Sequence, residues 1–199
     1  MSKRLFDLFF SFLAIISLSG ILLICILIAS VNTKSLGLFI QIRIGQHGIP
    51  FKIYKIKSLV DSTKRVTAFG RFLRASKFDE LPQLFNVLNG TMSFVGPRPD
   101  MAGFADCLVD ADRIILTAKP GITGLASIKY RNEEALLQQE KNPMLFNQNV
   151  IWPDKVRINK WYVQNRTIWL DILVLFYTIV PGKFNVDRFI EGYVKPNRE

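Results

Sequence analysis

From Leu8 to Val31 the chain runs for 24 residues without a charged side chain, and nothing else in the sequence restricts the fold as strongly. One helix of that length reaches across the hydrocarbon of a bilayer, and it exceeds the roughly 7–15 apolar residues of a signal-peptide core. Basic residues flank it on both sides, Lys3 and Arg4 before it and Lys34, Arg43, Lys52, Lys55 and Lys57 after it. Basic flanks stay in the cytoplasm, so a re-entrant helix satisfies both flanks where a straight span satisfies one. Turning back inside the bilayer requires a helix break. Ser17, Ser19 and Gly20 are the candidates near the middle, and Ser19-Gly20 is the expected membrane bend. A plain transmembrane anchor is the alternative that length alone allows.

The remaining sequence, within 199 residues, is enough for one domain with a core. A hydrophobic share of 49% again points to a membrane. The 26 basic against 16 acidic side chains give a net charge of +10, which suits an anionic lipid surface, a nucleotide or a nucleic acid. The basic residues scatter rather than form a stripe with stacking aromatics, which argues against nucleic acid. Cys25 and Cys107 have no metal-ligand spacing, and reduced thiols are the expectation. The single histidine, His47, excludes a metal site built on histidine. The triplets Asn89-Gly90-Thr91 and Asn165-Arg166-Thr167 have the form of glycosylation acceptors, but the basic flanks oppose export.

After the apolar segment, Leu38, Ile40, Ile42 and Ile44 alternate with Phe39, Gln41 and Arg43, the period of a half-buried strand. Gly45 to Gly48 makes a turn, and Phe51 to Lys57 returns as a second strand, bringing Arg43, Lys55 and Lys57 toward one end of a hairpin. Each of these charges taken singly reads as a solvated surface residue.

The run Lys77 to Pro99, KFDELPQLFNVLNGTMSFVGPRP, places adjacent carboxylates ahead of a glycine, proline and arginine turn. Leu81, Leu84, Phe85 and Leu88 recur at helical spacing, and Asn89-Gly90 can close a helix in a left-handed conformation. Pro82 is harmless only in a first turn, so the helix is expected to start at Asp79. There a carboxylate meets the positive end of the helix dipole, where phosphates also bind. Local pattern alone makes Asp79 an N-cap and Glu80 an ordinary first-turn acid. Gly96-Pro97-Arg98-Pro99 strengthens a functional reading, because two prolines stiffen the backbone around a guanidinium fork suited to phosphate.

This run resembles the signature of the bacterial sugar transferases, the monotopic phosphoglycosyl transferases that begin glycan assembly on a polyprenol carrier. The resemblance extends to FIQIRIGQHGIPFKIYKIKSL (residues 39–59), KPGITGLASIKYRN (residues 119–132) and the stretch Trp161 to Thr178, and so covers nearly the whole chain. It implies a helix-dominated α+β fold, with a re-entrant membrane helix over residues 1–34. A small cytoplasmic catalytic domain with a β-hairpin and interfacial amphipathic helices would follow over residues 35–199.

The resemblance also implies a two-step phosphoryl transfer in which Asp79 is the nucleophile toward a UDP-sugar and Glu80 holds Mg²⁺. Lys57, Arg98, Pro99, Arg131 and, more weakly, Arg43 belong to the phosphate-binding set. The implied partners are a UDP-sugar, a polyprenol phosphate such as undecaprenyl phosphate, and a phospholipid membrane, with no nucleic acid. The place is the cytoplasmic face of the bacterial inner membrane. The alternative is a membrane-anchored basic binding protein without catalysis.

Three departures limit what carries over. Ser19-Gly20 stands where the family usually has serine-proline. Ser127-Ile128-Lys129-Tyr130 replaces the common glutamine-valine-asparagine-glycine run, so sugar contacts tied to that run do not transfer. Asn159 stands where an aspartate is usual, so no acid acts there. Trp169 to Val180 is apolar but too short to span. By pattern it is either a core helix or an interfacial helix, and the family favours the second. Residues 181–199 read as a polar, peripheral tail.

Overall fold

The structure, a computed structural model, describes residues 2–180, 182 and 184–193. Helix α1 (Lys3–Thr33) starts at Ser2, whose hydroxyl accepts the Leu5 N–H, and ends where Lys34 turns left-handed at φ 51°. At about 1.5 Å per residue it extends for about 46 Å. It runs without interruption through Ser19 and Gly20, so the break expected there is absent. A glycine inside a helix costs only about 1 kcal/mol relative to alanine and keeps its own backbone hydrogen bonds, so without a proline Gly20 does not break α1; the Ser19 hydroxyl turns back onto the Ile16 carbonyl at 2.9 Å.

Both ends of α1 dock on the rest of the chain. Asp7 and Ser11 are buried near its start, and Leu22, Cys25 and Ala29 pack with Ile56 and Leu73 toward its end. Between them Phe12, Leu13, Ile16 and Ile21 are exposed, as are Leu23, Ile24 and Leu27 on the outer face. Lys3 reaches the Val95 carbonyl at 3.0 Å and forms an ion pair with buried Asp171. The Arg4 guanidinium donates to the carbonyls of Val87 and Leu88 at 2.6 and 2.8 Å.

Strands β1 (Leu38–Ile44) and β2 (Pro50–Ile56) form the expected antiparallel hairpin, with Gln41 opposite Ile53 and Arg43 opposite Phe51. Its orientation is the reverse of the simple reading. Ile40 and Ile42 are exposed, while Gln41 and Arg43 are half-buried. The face carrying Arg43 packs inward because it shares its side with Ile53 and Phe51, which join Val87 and Met92 in a core cluster.

Helix α2 (Ala68–Ser76) is capped by Thr67, and α3 (Gln83–Asn89) ends at Gly90 with φ 88°. The buried side of α3 is Gln83, Leu84, Asn86 and Val87, and Phe85 points outward, contrary to the leucine-phenylalanine stripe. Asn86 explains the rotation. Its amide donates to the Lys52 carbonyl at 2.7 Å and its oxygen accepts from the Tyr54 N–H at 3.2 Å, so a side chain serves as the strand that would pair with β2.

Two short strands, β3 (Ser93–Val95) and β4 (Gly121–Thr123), pair in parallel. The main core lies beyond them, where Val95, Leu125, Ile158, Tyr162, Leu170 and Val174 meet. It is built from α4 (Leu125–Lys129), α7 (Trp152–Asn165) and α8 (Ile168–Ile179). Between α4 and α7 lie α5 (Glu133–Gln138), α6 (Pro143–Phe146) and a wider turn over Asn147–Ile151. In α8, Trp169, Ile172, Phe176 and Ile179 form an exposed apolar stripe opposite buried Leu170, Asp171 and Val174. One apolar face of α8 is thus packed in the core and the other is left without a partner among the described residues.

The tail is less peripheral than its composition suggests. Helix α9 (Val186–Gly192) buries Val186, and Phe189 and Tyr193 pack edge-on against Trp161. Residues 194–199 of the expected tail lie outside the described residues.

Candidate active site

The acidic pair sits in a tight turn between two helices. Lys77 ends α2 in a left-handed conformation at φ 61°, and residues Phe78–Glu80 then form a single 3₁₀ turn closed by the Leu81 N–H on the Phe78 carbonyl at 3.2 Å. Pro82 has no N–H to donate to Phe78, so a regular α-helix cannot run through this point and α3 begins at Gln83. The helix start expected at Asp79 is therefore displaced, and Asp79 makes no capping hydrogen bond.

Freed from capping, Asp79 is half-buried, and its Oδ1 is buried without a hydrogen-bond partner among the described residues. Burial, then the adjacent Glu80, push its pKa above the ordinary 3.8, with Lys55, Lys77 and Arg74 pulling the other way. Glu80 is in the opposite state. It is 8% exposed, receives both terminal nitrogens of Arg98, and accepts from Lys55 Nζ at 3.0 Å. Burial alone would raise its pKa, but the charge and hydrogen bonds of Arg98 and Lys55 prevail and hold it at about 2. Two neighbouring carboxylates thus differ in role before any substrate arrives, one fixed as an anion within an ion cluster and one left open.

Arg98 is presented by two loops packed back to back. The Gly96 N–H donates to the Thr123 carbonyl at 2.9 Å, and the Gly121 N–H to the Pro97 carbonyl at 2.8 Å. A Cβ on Gly96 would stand 2.3 Å from the Lys119 carbonyl, and one on Gly121 would stand 2.1 Å from the Gly96 nitrogen, so both must be glycine for this approach. The loop Lys119 to Gly124, which by pattern is punctuation, therefore holds the arginine turn in place. Buried Pro97 and Pro99 brace the half-exposed Arg98 on both sides.

Arg43 joins the same cluster. Burial and the charge of Arg98 lower its pKa, while Asp100 and Glu80 oppose the shift, which identifies its neighbours. Its guanidinium is oriented by Gln41 Oε1 at 3.1 and 2.7 Å. The Asp100 carbonyl accepts the Ile44 N–H at 2.9 Å and so ties the arginine turn to the end of β1. The Asp100 carboxyl is pushed up to about 6 by burial, against Lys155, Arg43 and Arg98.

Of the residues singled out from sequence, the structure brings together Asp79, Glu80, Arg98, Pro99 and Arg43. Lys57 is turned to Ser35 Oγ at 2.9 Å and to Asp61, away from Glu80. Arg131 caps the end of α8 through the carbonyls of Tyr177 and Thr178 at 3.1 and 2.9 Å. Ser19 and Gly20 sit in the exposed middle of α1.

Sequence reasoning missed Lys55 as a partner of Glu80, as well as Asp100, Arg74 and Lys77. Lys55 was detectable in principle, since a hairpin with this register puts it on the same face as Arg43. Among the described residues no group of three or more histidine, cysteine or carboxylate side chains is positioned to hold a metal.

The sequence profile described as Bacterial sugar transferase matches residues 1–182. The chain is 35% identical, over 94% of its length, to the UDP-glucose:undecaprenyl-phosphate glucose-1-phosphate transferase of Klebsiella pneumoniae, of which it spans 41%. It is 34% identical, over 89% of its length, to the uncharacterized sugar transferase EpsL of Bacillus subtilis, of which it spans 85%. It is 36% identical, over 68% of its length, to the undecaprenyl-phosphate galactose phosphotransferase of Salmonella typhimurium, of which it spans 31%.

Proposed function

The chain belongs to the bacterial sugar transferase family, and from that membership we propose that it transfers a sugar 1-phosphate from a UDP-sugar to undecaprenyl phosphate. This is the first membrane step of a surface glycan. The observation that carries the reading is the buried, unpaired Oδ1 of Asp79 beside the Arg98, Glu80 and Lys55 cluster. The names of the Klebsiella and Salmonella relatives supply the two substrate classes.

In this scheme an Asp79 oxygen attacks the sugar-side phosphorus of the UDP-sugar. The bond from that phosphorus to UMP breaks, and UMP leaves with the bonding electrons. The sugar phosphate remains on the carboxylate. An oxygen of undecaprenyl phosphate then attacks the same phosphorus and displaces Asp79, giving undecaprenyl diphosphate sugar. Burial withholds water from the Asp79 carboxylate and keeps it reactive, and fixed cations offset the charge that gathers at the phosphates. Arg98 and Arg43 supply that charge, and Glu80 positions Arg98. Lys57 and Arg131 must leave Asp61 and the α8 carbonyls to reach the diphosphate, so the resting phosphate set is Arg98, Arg43 and Lys55.

Mg²⁺ belongs to this proposal. It needs only one or two protein carboxylates when substrate phosphates complete its shell; Glu80 would be that ligand, and since Arg98 and Lys55 occupy its oxygens in this structure one of them would have to give way. Held by Glu80, Mg²⁺ would supply charge neutralisation at the diphosphate.

The long helix is read as a membrane anchor on the cytoplasmic face, with residues 35–199 as the catalytic domain; its unbroken course from Lys3 to Thr33 does not supply the turn that a re-entrant path requires. Its two docked ends and exposed apolar middle favour a helix seated in one face of the membrane, since a helix crossing to the far side would leave one end out of reach of the body. The exposed stripe of α8 supports a shallow interfacial seat where a soluble donor and a lipid acceptor both reach Asp79. The deciding experiment is a panel of UDP-sugars tested for UMP release with Mg²⁺ and undecaprenyl phosphate in detergent. Release by the native chain and none by Asp79→Asn is expected. Equal release by both would refute the covalent scheme, and no release from any donor would favour the binding protein.

A further inference from the structure

A cleft of about 480 Å³ opens where the start of α1 meets the start of α8, and it shares no lining residue with the carboxylate cluster. Four cationic side chains line it, Lys3, Arg4, Lys119 and Arg166, against the two carboxylates of Asp7 and Asp171. Lys3 is committed to Asp171, and Arg4 to the carbonyls of Val87 and Leu88. Neither Lys119 nor Arg166 has a salt-bridge partner among the described residues. Arg4 Nη2 and Lys119 Nζ nevertheless both come within 3.4 Å of the point where a Cβ on Gly90 would stand. Like charges converge there, and burial together with Arg4 lowers the Lys119 pKa.

A second feature points to a ligand. Ser93 Oγ, on a fully buried residue lining the cleft, makes no hydrogen bond of ordinary geometry among the described residues, its neighbour being the Asp7 carboxyl, whose pKa it helps to lower. A buried hydroxyl left unpaired is costly unless a ligand or water completes it. On the facing wall, Thr167 caps the first turn of α8, whose free N–H groups favour an anion.

We propose that this cleft binds the phosphate of an anionic phospholipid headgroup, with Lys119 and Arg166 as the cations that hold it. A lipid is favoured over a soluble phosphate because Lys3, Arg4 and Asp7 of the cleft open the long apolar helix α1, whose length and hydropathy suit a membrane, so the cleft lies at the start of the membrane-seeking segment. The site fixes how deeply the anchor and the interfacial helix sit, and the inference requires a membrane but not the transferase reading.

The test uses the full chain in a neutral detergent, with the unfolding temperature followed as phosphatidylglycerol, phosphatidylcholine or inorganic phosphate is titrated in. Phosphatidylglycerol is expected to raise it saturably and phosphatidylcholine to do so less. In the Lys119→Gln, Arg166→Gln double variant the midpoint should move roughly thirtyfold higher. Ser93→Ala, which removes one buried oxygen and leaves the surface charges in place, should move it in the same direction and guards against a folding defect in the double variant. Unchanged midpoints in both variants, or no response to phosphatidylglycerol, would overturn the proposal. An equal response to inorganic phosphate would overturn the lipid assignment.

Discussion

Arg98 meets Glu80 through both ends of its guanidinium, with Nη1 3.2 Å from Oε2 and Nη2 closing on Oε1. The two-point geometry fixes the plane of the fork, and the remaining N–H groups are free to face a phosphate because the arginine side chain is 45% exposed. Lysine at this position keeps the charge but loses the plane. Arg98→Lys is therefore expected to lower kcat/KM for UMP release about a hundredfold while the unfolding temperature stays within a few degrees of the native value. A native rate in this variant would show that charge alone suffices.

Much of this arrangement is legible in the sequence where chemistry is local. The acidic pair, the arginine between prolines and the doubly flanked apolar segment are visible as composition and order. The orientation of the hairpin is not, because alternation shows that a strand has two faces without showing which is buried. Ile40 and Ile42 look like core and are exposed, since Ile53 and Phe51 decide which face packs. The rotation of α3 is equally hidden. It follows from a tertiary bond between Asn86 and the edge of β2, and an asparagine in a helical stripe reads as polar surface. Lys57 and Lys55 are equivalent by type and two residues apart, and only the placement of Ser35 and Asp61 determines which one meets Glu80.

The pH dependence of the reaction is expected to report Asp79. Its pKa is raised by burial and by Glu80, whereas Glu80 stays ionised because its own value is about 2. The rate of UMP release should fall on the acid side as one proton is taken up, with a midpoint above the ordinary aspartate value of 3.8. Lys55 is the first of the cations that lower this midpoint, so Lys55→Met should shift the acid limb upward in a pH–rate profile. A two-proton limb, or one that Lys55→Met leaves in place, would contradict the assignment.

Asp100 predicts a pH-dependent stability. Its folded value of about 6 exceeds the 3.8 of an exposed aspartate, so between these values the folded chain holds a proton that the unfolded chain has released. Stability then falls as pH rises through this window, by up to about 3 kcal/mol. Asp100→Asn removes the titration and keeps the shape. Its unfolding temperature should match the native chain near pH 4, gain on it up to pH 6 or slightly above, and run parallel beyond. A constant difference across thermal unfolding curves from pH 4 to pH 8 would count against a buried, titrating Asp100.

Asn86 couples stability to the site. Its amide is the only side chain that pairs with the backbone of β2 at both Lys52 and Tyr54 among the described residues, and the residue is 1% exposed. Asn86→Leu fills similar space but leaves the Lys52 carbonyl and the Tyr54 N–H buried and unpaired, at a cost of about 2–4 kcal/mol. The same bond sets how α3 lies on β2, and Lys55 on β2 must meet Glu80, which leads into α3, at 3.0 Å. Loosening it should lower the UMP release rate together with the unfolding temperature, whereas Arg98→Lys lowers the rate alone. Measuring both quantities in both variants separates the fold's grip on the acidic turn from the chemistry of the fork. A stable, fully active Asn86→Leu would mean that the contacts of Val87 and Met92 with Ile53 hold the register without the amide.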